Sequence, residues 1–210
     1  MNIEDLKKID SKKMYQTYDK WPEIAKDSFD NDFEKFDVKG IDHIVFSGMG
    51  GSGSIGDVVS AILSKEDIHV SNVKGYHLPK TVDSNSLVVA TSISGNTRET
   101  LTVLEKAQKT DAKIAAFSSG GMMQKFCESN NVFFKEISMI HSPRASFPKF
   151  LFSILSILKE IIPIQEKDLI ESISSLDITR NDISSNNLTG ENISLKLTQW
   201  IKEIPLVNYP

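Results

Sequence analysis

"DHIVFSGMGGSGSIGDVVSAIL", Asp42 to Leu63, carries the reading of the fold. A nearly continuous apolar run, "HIVFS", ends in "GMGGSGS", which places four glycines and two serines in seven residues. Beyond it Ile55, Val58, Val59 and Ile62 recur at i, i+3, i+4 and i+7, one face of a helix. The unit is therefore a strand, a tight loop and a helix. A loop of this composition lets backbone N–H groups approach an anion closely. The candidate anions are the pyrophosphate of a dinucleotide, the phosphates of a nucleotide and the phosphate of a small sugar.

The same pattern repeats outward from that unit. Further β-like runs are "IHVSNV" (Ile68 to Val73), "LVVATS" (Leu87 to Ser92), "KIAAFS" (Lys113 to Ser118) and "NVFFKE" (Asn131 to Glu136). The first, third and fourth of the five are almost wholly apolar, as strands covered on both faces are. Thr100, Val103, Leu104 and Ala107 mark a second helix face, and Met122, Met123 and Phe126 start a third. Alternating strands and helices predict an α/β fold: a doubly wound, five-stranded parallel sheet with helices on both faces. In the flavodoxin-like order 2-1-3-4-5, the loops after strands one and three flank the crevice where such sheets bind ligands.

Those loops, "GMGGSGS" and "SISGNT", are built from Ser, Thr, Gly and Asn, as is "SSGG" after strand four. Ser52, Ser92, Ser94 and Thr97 can each donate a hydroxyl hydrogen bond, and no lysine lies in either of the first two loops. Neutral donors and helix N-termini suit one phosphate monoester. Three bland readings stand beside this. Gly48, Gly50 and Gly53 fit the dinucleotide spacing, but "IHVSNVKGY" lacks the acidic residue that would hold a ribose. A nucleotide P-loop needs a Gly-Lys-Ser/Thr that does not occur. Asn96 and Glu99, three apart, can form a capping box with no ligand involved.

The chain has 210 residues, 40% hydrophobic and 25% charged, with a net charge of −4. That balance gives no reason to expect nucleic acid or an anionic membrane as a partner. Cys127 is the single cysteine, so no intrachain disulfide forms, and it reads as core. The N-terminal stretch lacks an apolar signal core, and "FLFSILSILKEIIPI" is too interrupted to span a bilayer. A soluble, cytoplasmic protein is expected. There are three arginines. Arg144, in "SPRAS" at a helix start, is poorly placed for the helix dipole, which points to an anion or carboxylate holding it. Lys149 reads as a solvated charge. None of the four histidines has metal-ligand spacing; His141 is the best placed for a site because it lies near Arg144.

Outside the sheet, "YDKWPEIAKDSFDNDF" predicts a helix opening at Pro22. "SPRASFPKFLFSILSILKEII" predicts a long apolar helix of the kind buried at a domain or subunit contact. Ile178 to Asn192 is polar and reads as a linker. "ISLKLTQWIKE" is amphipathic, and "IPLVNYP" after it reads as a strand.

"GMGGSG", "SISGNT", "SSGG" and "SPRAS", with "YDKWP" ahead of them, together resemble the sugar isomerase (SIS) domain family. They are most similar to the N-terminal half of the archaeal-type bifunctional phosphoglucose/phosphomannose isomerases. The resemblance implies four segments: a helical lead-in (1–38), a SIS domain (39–165), a helix and linker (166–193), and the start of an incomplete second SIS domain (194–210). It implies that Gly51, Ser52, Ser92, Ser94 and Thr97 bind the substrate phosphate and that Arg144 is catalytic, stabilising an enediolate. The implied reaction converts glucose 6-phosphate or mannose 6-phosphate to fructose 6-phosphate, with no metal and no cofactor, in a homodimer. In that family the base glutamate and the ring-opening histidine belong to the second domain, and nothing here matches them. The alternatives are a catalytically silent sugar-phosphate-binding module and a single-domain isomerase completed by oligomerisation.

Overall fold

The computed structural model describes residues 2–202. It divides into two compact units: Ala25–Gln165, and the described residues before and after that segment.

The larger unit holds five parallel strands: β1 (His43–Ser47), β2 (His69–Val73), β3 (Ser86–Ser92), β4 (Lys113–Ser118) and β5 (Phe133–Glu136). Their order is β2-β1-β3-β4-β5, as expected from the sequence. Every residue of β1 and β3 is buried, which is why those two runs are apolar on both faces, whereas the edge strands β2 and β5 are half-exposed. Between the strands run α4 (Gly51–Ile62), α5 (Arg98–Ala107) and α6 (Gly121–Asn130). Val103 and Ala107 of α5 pack on Val45 and Val88. Leu101 and Leu104 join Met123 and Cys127 of α6 over Ala90 and Ala116. So α5 and α6 share one face of the sheet.

After β5 the chain makes a 3-10 turn at Arg144–Ser146 and enters α7 (Phe147–Ile157). The apolar helix is thus shorter than its sequence suggested. It is buried inside this unit, from Phe150 through Ile157, and packs against α4. Its far end lies at the amino edge of the sheet. There the Phe36 N–H donates to the Ile157 carbonyl at 3.1 Å, and the Phe36 ring sits 4.7 Å from that of Phe133 at the start of β5. The beginning of α7, with Arg144, therefore lies at the carboxyl edge.

Cys127 is fully buried, and burial pushes its thiol up to about 12. The thiolate is the reactive form. Native protein should therefore leave a disulfide reagent unreacted at pH 8, and one thiol should appear on unfolding. Rapid modification of the native protein would contradict this packing.

The smaller unit contains α1 (Ile3–Ile9), α2 (Met14–Asp19), the start of α3 (Trp21–Asp30), α8 (Glu166–Ile183) and α9 (Ile193–Lys202). Pro22 lies in the first turn of α3, as expected. Arg180 joins α8 to the end of α2 and the first turn of α3, donating to the Asp19 carbonyl at 2.8 Å and to Glu23 at 3.1 Å, while it also pairs with Asp177. The Asp19 carboxylate accepts the N–H and hydroxyl of Ser185 at 3.1 and 2.5 Å. The run from Ile178 is not a linker throughout. α8 continues to Ile183, supported by the i,i+3 pair of Asp177 and Arg180, and only the segment beyond it is irregular. The amphipathic stretch forms α9, and the strand expected over "IPLVNYP" lies outside the described residues. Among the described residues no helix is long and apolar enough to cross a membrane.

Candidate functional site: the crevice between β1 and β3

β1 and β3 are neighbours, with Ser47 opposite Ala90. The chain leaves β1 towards β2 and leaves β3 towards β4, so the connections diverge and open a crevice between the first turns of α4 and α5. The two serine-rich loops are thus at the carboxyl ends of adjacent strands.

The first loop is shaped by close approach of helix and strand. A Cβ at Gly53 would stand 2.7 Å from the Gly48 carbonyl oxygen, and one at Gly56 would meet the Phe46 Cβ at 2.7 Å. The Gly48 N–H donates to the Val73 carbonyl at 3.2 Å, which ties the loop to the end of β2. Gly51 opens α4 and is exposed, with no atom within 4 Å of where a Cβ would stand. Ser52 is half-buried, and its hydroxyl has no hydrogen-bond partner among the described residues. The α4 N-cap is Gly50, so no side chain caps the helix.

In the second loop Ser92 is buried, and its hydroxyl stands 2.9 Å from that of Thr97. Ser94 is exposed, and its Oγ accepts the Asn96 N–H at 3.3 Å. Thr97 is the N-cap of α5, yet its side chain makes no capping bond. Two helix N-termini without side-chain caps thus begin at neighbouring strand ends, which favours an anion between them. The capping box expected of Asn96 and Glu99 is not formed. The Asn96 carboxamide instead accepts the N–H of Met122 at 3.1 Å, capping α6. Glu99 accepts the Tyr76 hydroxyl, and that bond together with the carboxylate's charge raises the Tyr76 phenol above its usual value. The cap was misread because its recipient lies one strand away in the fold.

The third loop clamps the second. The Ser119 N–H and hydroxyl both donate to the Ile93 carbonyl, at 3.0 and 2.6 Å. The Met123 N–H donates to the Gly95 carbonyl at 2.9 Å. Ser118 Oγ donates to the Gly120 carbonyl at 2.7 Å and accepts the Gly120 N–H at 3.1 Å. This network holds Ser92, Ser94 and Thr97 in place by backbone contacts.

Arg144 is exposed; its carbonyl accepts the Phe147 N–H, while its guanidinium has no hydrogen-bond or ion-pair partner among the described residues. The carboxylate expected to hold it is not there, so its guanidinium is free to meet an anionic ligand. Lys149 is not a solvated charge: it donates to Ser138 Oγ at 2.6 Å, and burial lowers its ammonium below the usual lysine range. His141 is exposed, with a left-handed backbone (φ 54°).

Sequence reasoning did not single out Ser47, at the end of β1 on the face that α5 covers, or Thr100 in the first turn of α5; both are buried, and their hydroxyls have no partner among the described residues. Leaving such a group unsatisfied costs roughly 1–3 kcal/mol. Lys74 was also missed. It follows β2 at this edge and pairs with Asp57 of α4 at 2.5 Å.

Residues 39–142 match the SIS domain family. The chain carries a SIS domain. It is 32% identical over 167 residues to a bifunctional phosphoglucose/phosphomannose isomerase of Thermoplasma acidophilum, covering 79% of this chain and 49% of that one. It is 29% identical to a D-glucosamine-6-phosphate 4-epimerase of Sulfolobus acidocaldarius, covering 85% and 58%. In fold it is similar to the C-terminal domain of glucosamine-fructose-6-phosphate aminotransferase from Francisella tularensis, with a TM-score of 0.57, 18% identity and coverage of 80% and 53%. The chain spans about half the length of several of the phosphoglucose/phosphomannose isomerases it matches. The SIS match ends two residues before Arg144, so the phosphate loops lie inside it and the arginine lies outside.

Proposed function

We propose that the protein works as a phosphosugar aldose–ketose isomerase, interconverting glucose 6-phosphate or mannose 6-phosphate with fructose 6-phosphate. The observation that carries this reading is the pair of hydroxyl-lined loops opening two uncapped helix N-termini at adjacent strand ends. The names of the relatives point to the same substrate class. The Gly51 N–H and the hydroxyls of Ser52, Ser92, Ser94 and Thr97 hold the phosphate. The sugar then extends toward Arg144. A base removes the proton from C2 of the open-chain aldose, Arg144 stabilises the enediolate, and the proton is returned to C1.

The base and the ring-opening acid are not assigned to residues of this chain. We read residues 194–210 as the opening of a second SIS domain and place those groups beyond it or on a partner, in a homodimer. One observation favours a second reading, a binding module without turnover. Glu99, the carboxylate beside the phosphate loops, is engaged by Tyr76.

Two measurements test the proposal. Fructose 6-phosphate at 100 times its dissociation constant should stabilise the fold by about 2.7 kcal/mol in a thermal melt. Ser94→Ala removes a hydrogen bond to a charged group and should weaken that binding by about 10- to 100-fold, with little change in the melt of the free protein. A melt shifted by NAD alone would overturn the phosphosugar assignment. A coupled assay with both aldose phosphates separates the isomerase from the binding module.

A further inference from the structure

A second polar cluster lies at the amino edge of the sheet, one strand length away from the phosphate loops. His43 opens β1 and His69 opens β2, and the two are direct partners in the parallel register. Register partners on parallel strands project to the same face, and the imidazole centroids are 4.7 Å apart. Both rings turn the same nitrogen toward one atom. Ser71 Oγ stands 2.9 Å from His43 Nε2 and 3.2 Å from His69 Nε2.

The far side of the His43 ring is also held. His43 hydrogen-bonds the backbone of Thr81, and Ser86 Oγ, which donates to Asp83 at 3.0 Å, stands 3.5 Å from Nδ1. Nε2, on the side of Ser71, is the nitrogen that faces the space shared with His69. Metal-bound histidines are oriented by this same kind of outer hydrogen bond. His43 is 5% exposed while His69 is exposed, so one ligand is fixed and the other gives access from solvent. Asp42 and Asp83 add negative charge nearby.

We propose that His43 and His69 form a binding site for a divalent first-row transition ion such as zinc, with Ser71 and water completing its coordination. Imidazole nitrogens suit zinc, nickel and copper rather than magnesium or calcium. Among the described residues no third His, Cys, Asp or Glu joins the group. The site is therefore open, and weaker than a closed four-ligand centre. Its occupation would pin the half-exposed edge strand β2 to the buried β1. It draws on no residue of the phosphate site.

Zinc chloride titrated calorimetrically into the full chain, first stripped with EDTA, tests this. The wild type should bind one equivalent saturably, and the melting temperature should rise with zinc. His69→Ala should weaken binding at least tenfold while its circular dichroism stays native, because His69 is exposed. His77→Ala should bind as the wild type does. Absence of saturable binding overturns the proposal. So does equal affinity in His69→Ala, or a loss in His77→Ala instead.

Discussion

Gly95→Ala is expected to unfold the site and to lower the melting temperature by roughly 6–12 °C. Gly95 has φ +68°, and its N–H closes a turn onto the Ser92 carbonyl at 2.9 Å. An alanine Cβ there would lie 1.8 Å from the Gly120 carbonyl oxygen. The neighbour has no freedom to retreat, because that oxygen is bonded by Ser118 and the adjoining Ser119 is tied twice to Ile93. Left-handed strain contributes about 1–3 kcal/mol, and forcing the backbones apart adds a cost of similar size. A total near 3 kcal/mol corresponds to that shift for a chain of this length. Phosphosugar binding should fall with it, since Ser92, Ser94 and Thr97 are positioned by the displaced loop. Thermal melting and ligand titration read both effects. A variant that melts within a degree or two of wild type would show that the two loops are not clamped.

Arg144→Ala should do the opposite: leave the fold alone and remove turnover. The side chain is exposed and unpartnered, so its loss breaks no hydrogen bond or ion pair among the described residues. Removing one group that stabilises a developing oxyanion costs about 10²–10³ in kcat. The expected signature in the coupled isomerase assay is therefore a kcat lower by that factor, KM within a few-fold, and an unchanged melt. Arg144→Lys should recover part of the rate, because it keeps the charge and loses the planar fork. A raised KM with unaltered kcat would instead place Arg144 on the phosphate, as a binding group.

These two variants also separate what was legible in the residues from what was not. The strands are the clearest case. "HIVFS" and "LVVATS" are apolar on both faces because β1 and β3 are central, and their burial bears that out. The hydroxyls of the first two loops were visible as well, and the fold brings those loops to adjacent strand ends. What each polar side chain of a loop bonds to was not visible. Asn96 and Glu99 have capping-box spacing, yet Asn96 caps α6 and Glu99 takes Tyr76. Both partners are distant in sequence, and spacing carries no information about them. "SSGG" shares the composition of the two ligand loops, and only the structure shows it bracing the second.

By itself the sequence determined the order and type of the elements from Asp42 to Glu136, because hydrophobic periodicity is a local property of the chain. From this the parallel sheet and the edge that carries the loops follow. Only the tertiary structure decided that Gly95 must be glycine, that Arg144 is held by no carboxylate among the described residues, and that His43 and His69 face one serine oxygen. Each of these is a contact, or the lack of one, between atoms that the chain brings together only after the strands have paired. Pairing distances are set by the packing of the whole sheet and not by neighbours in sequence.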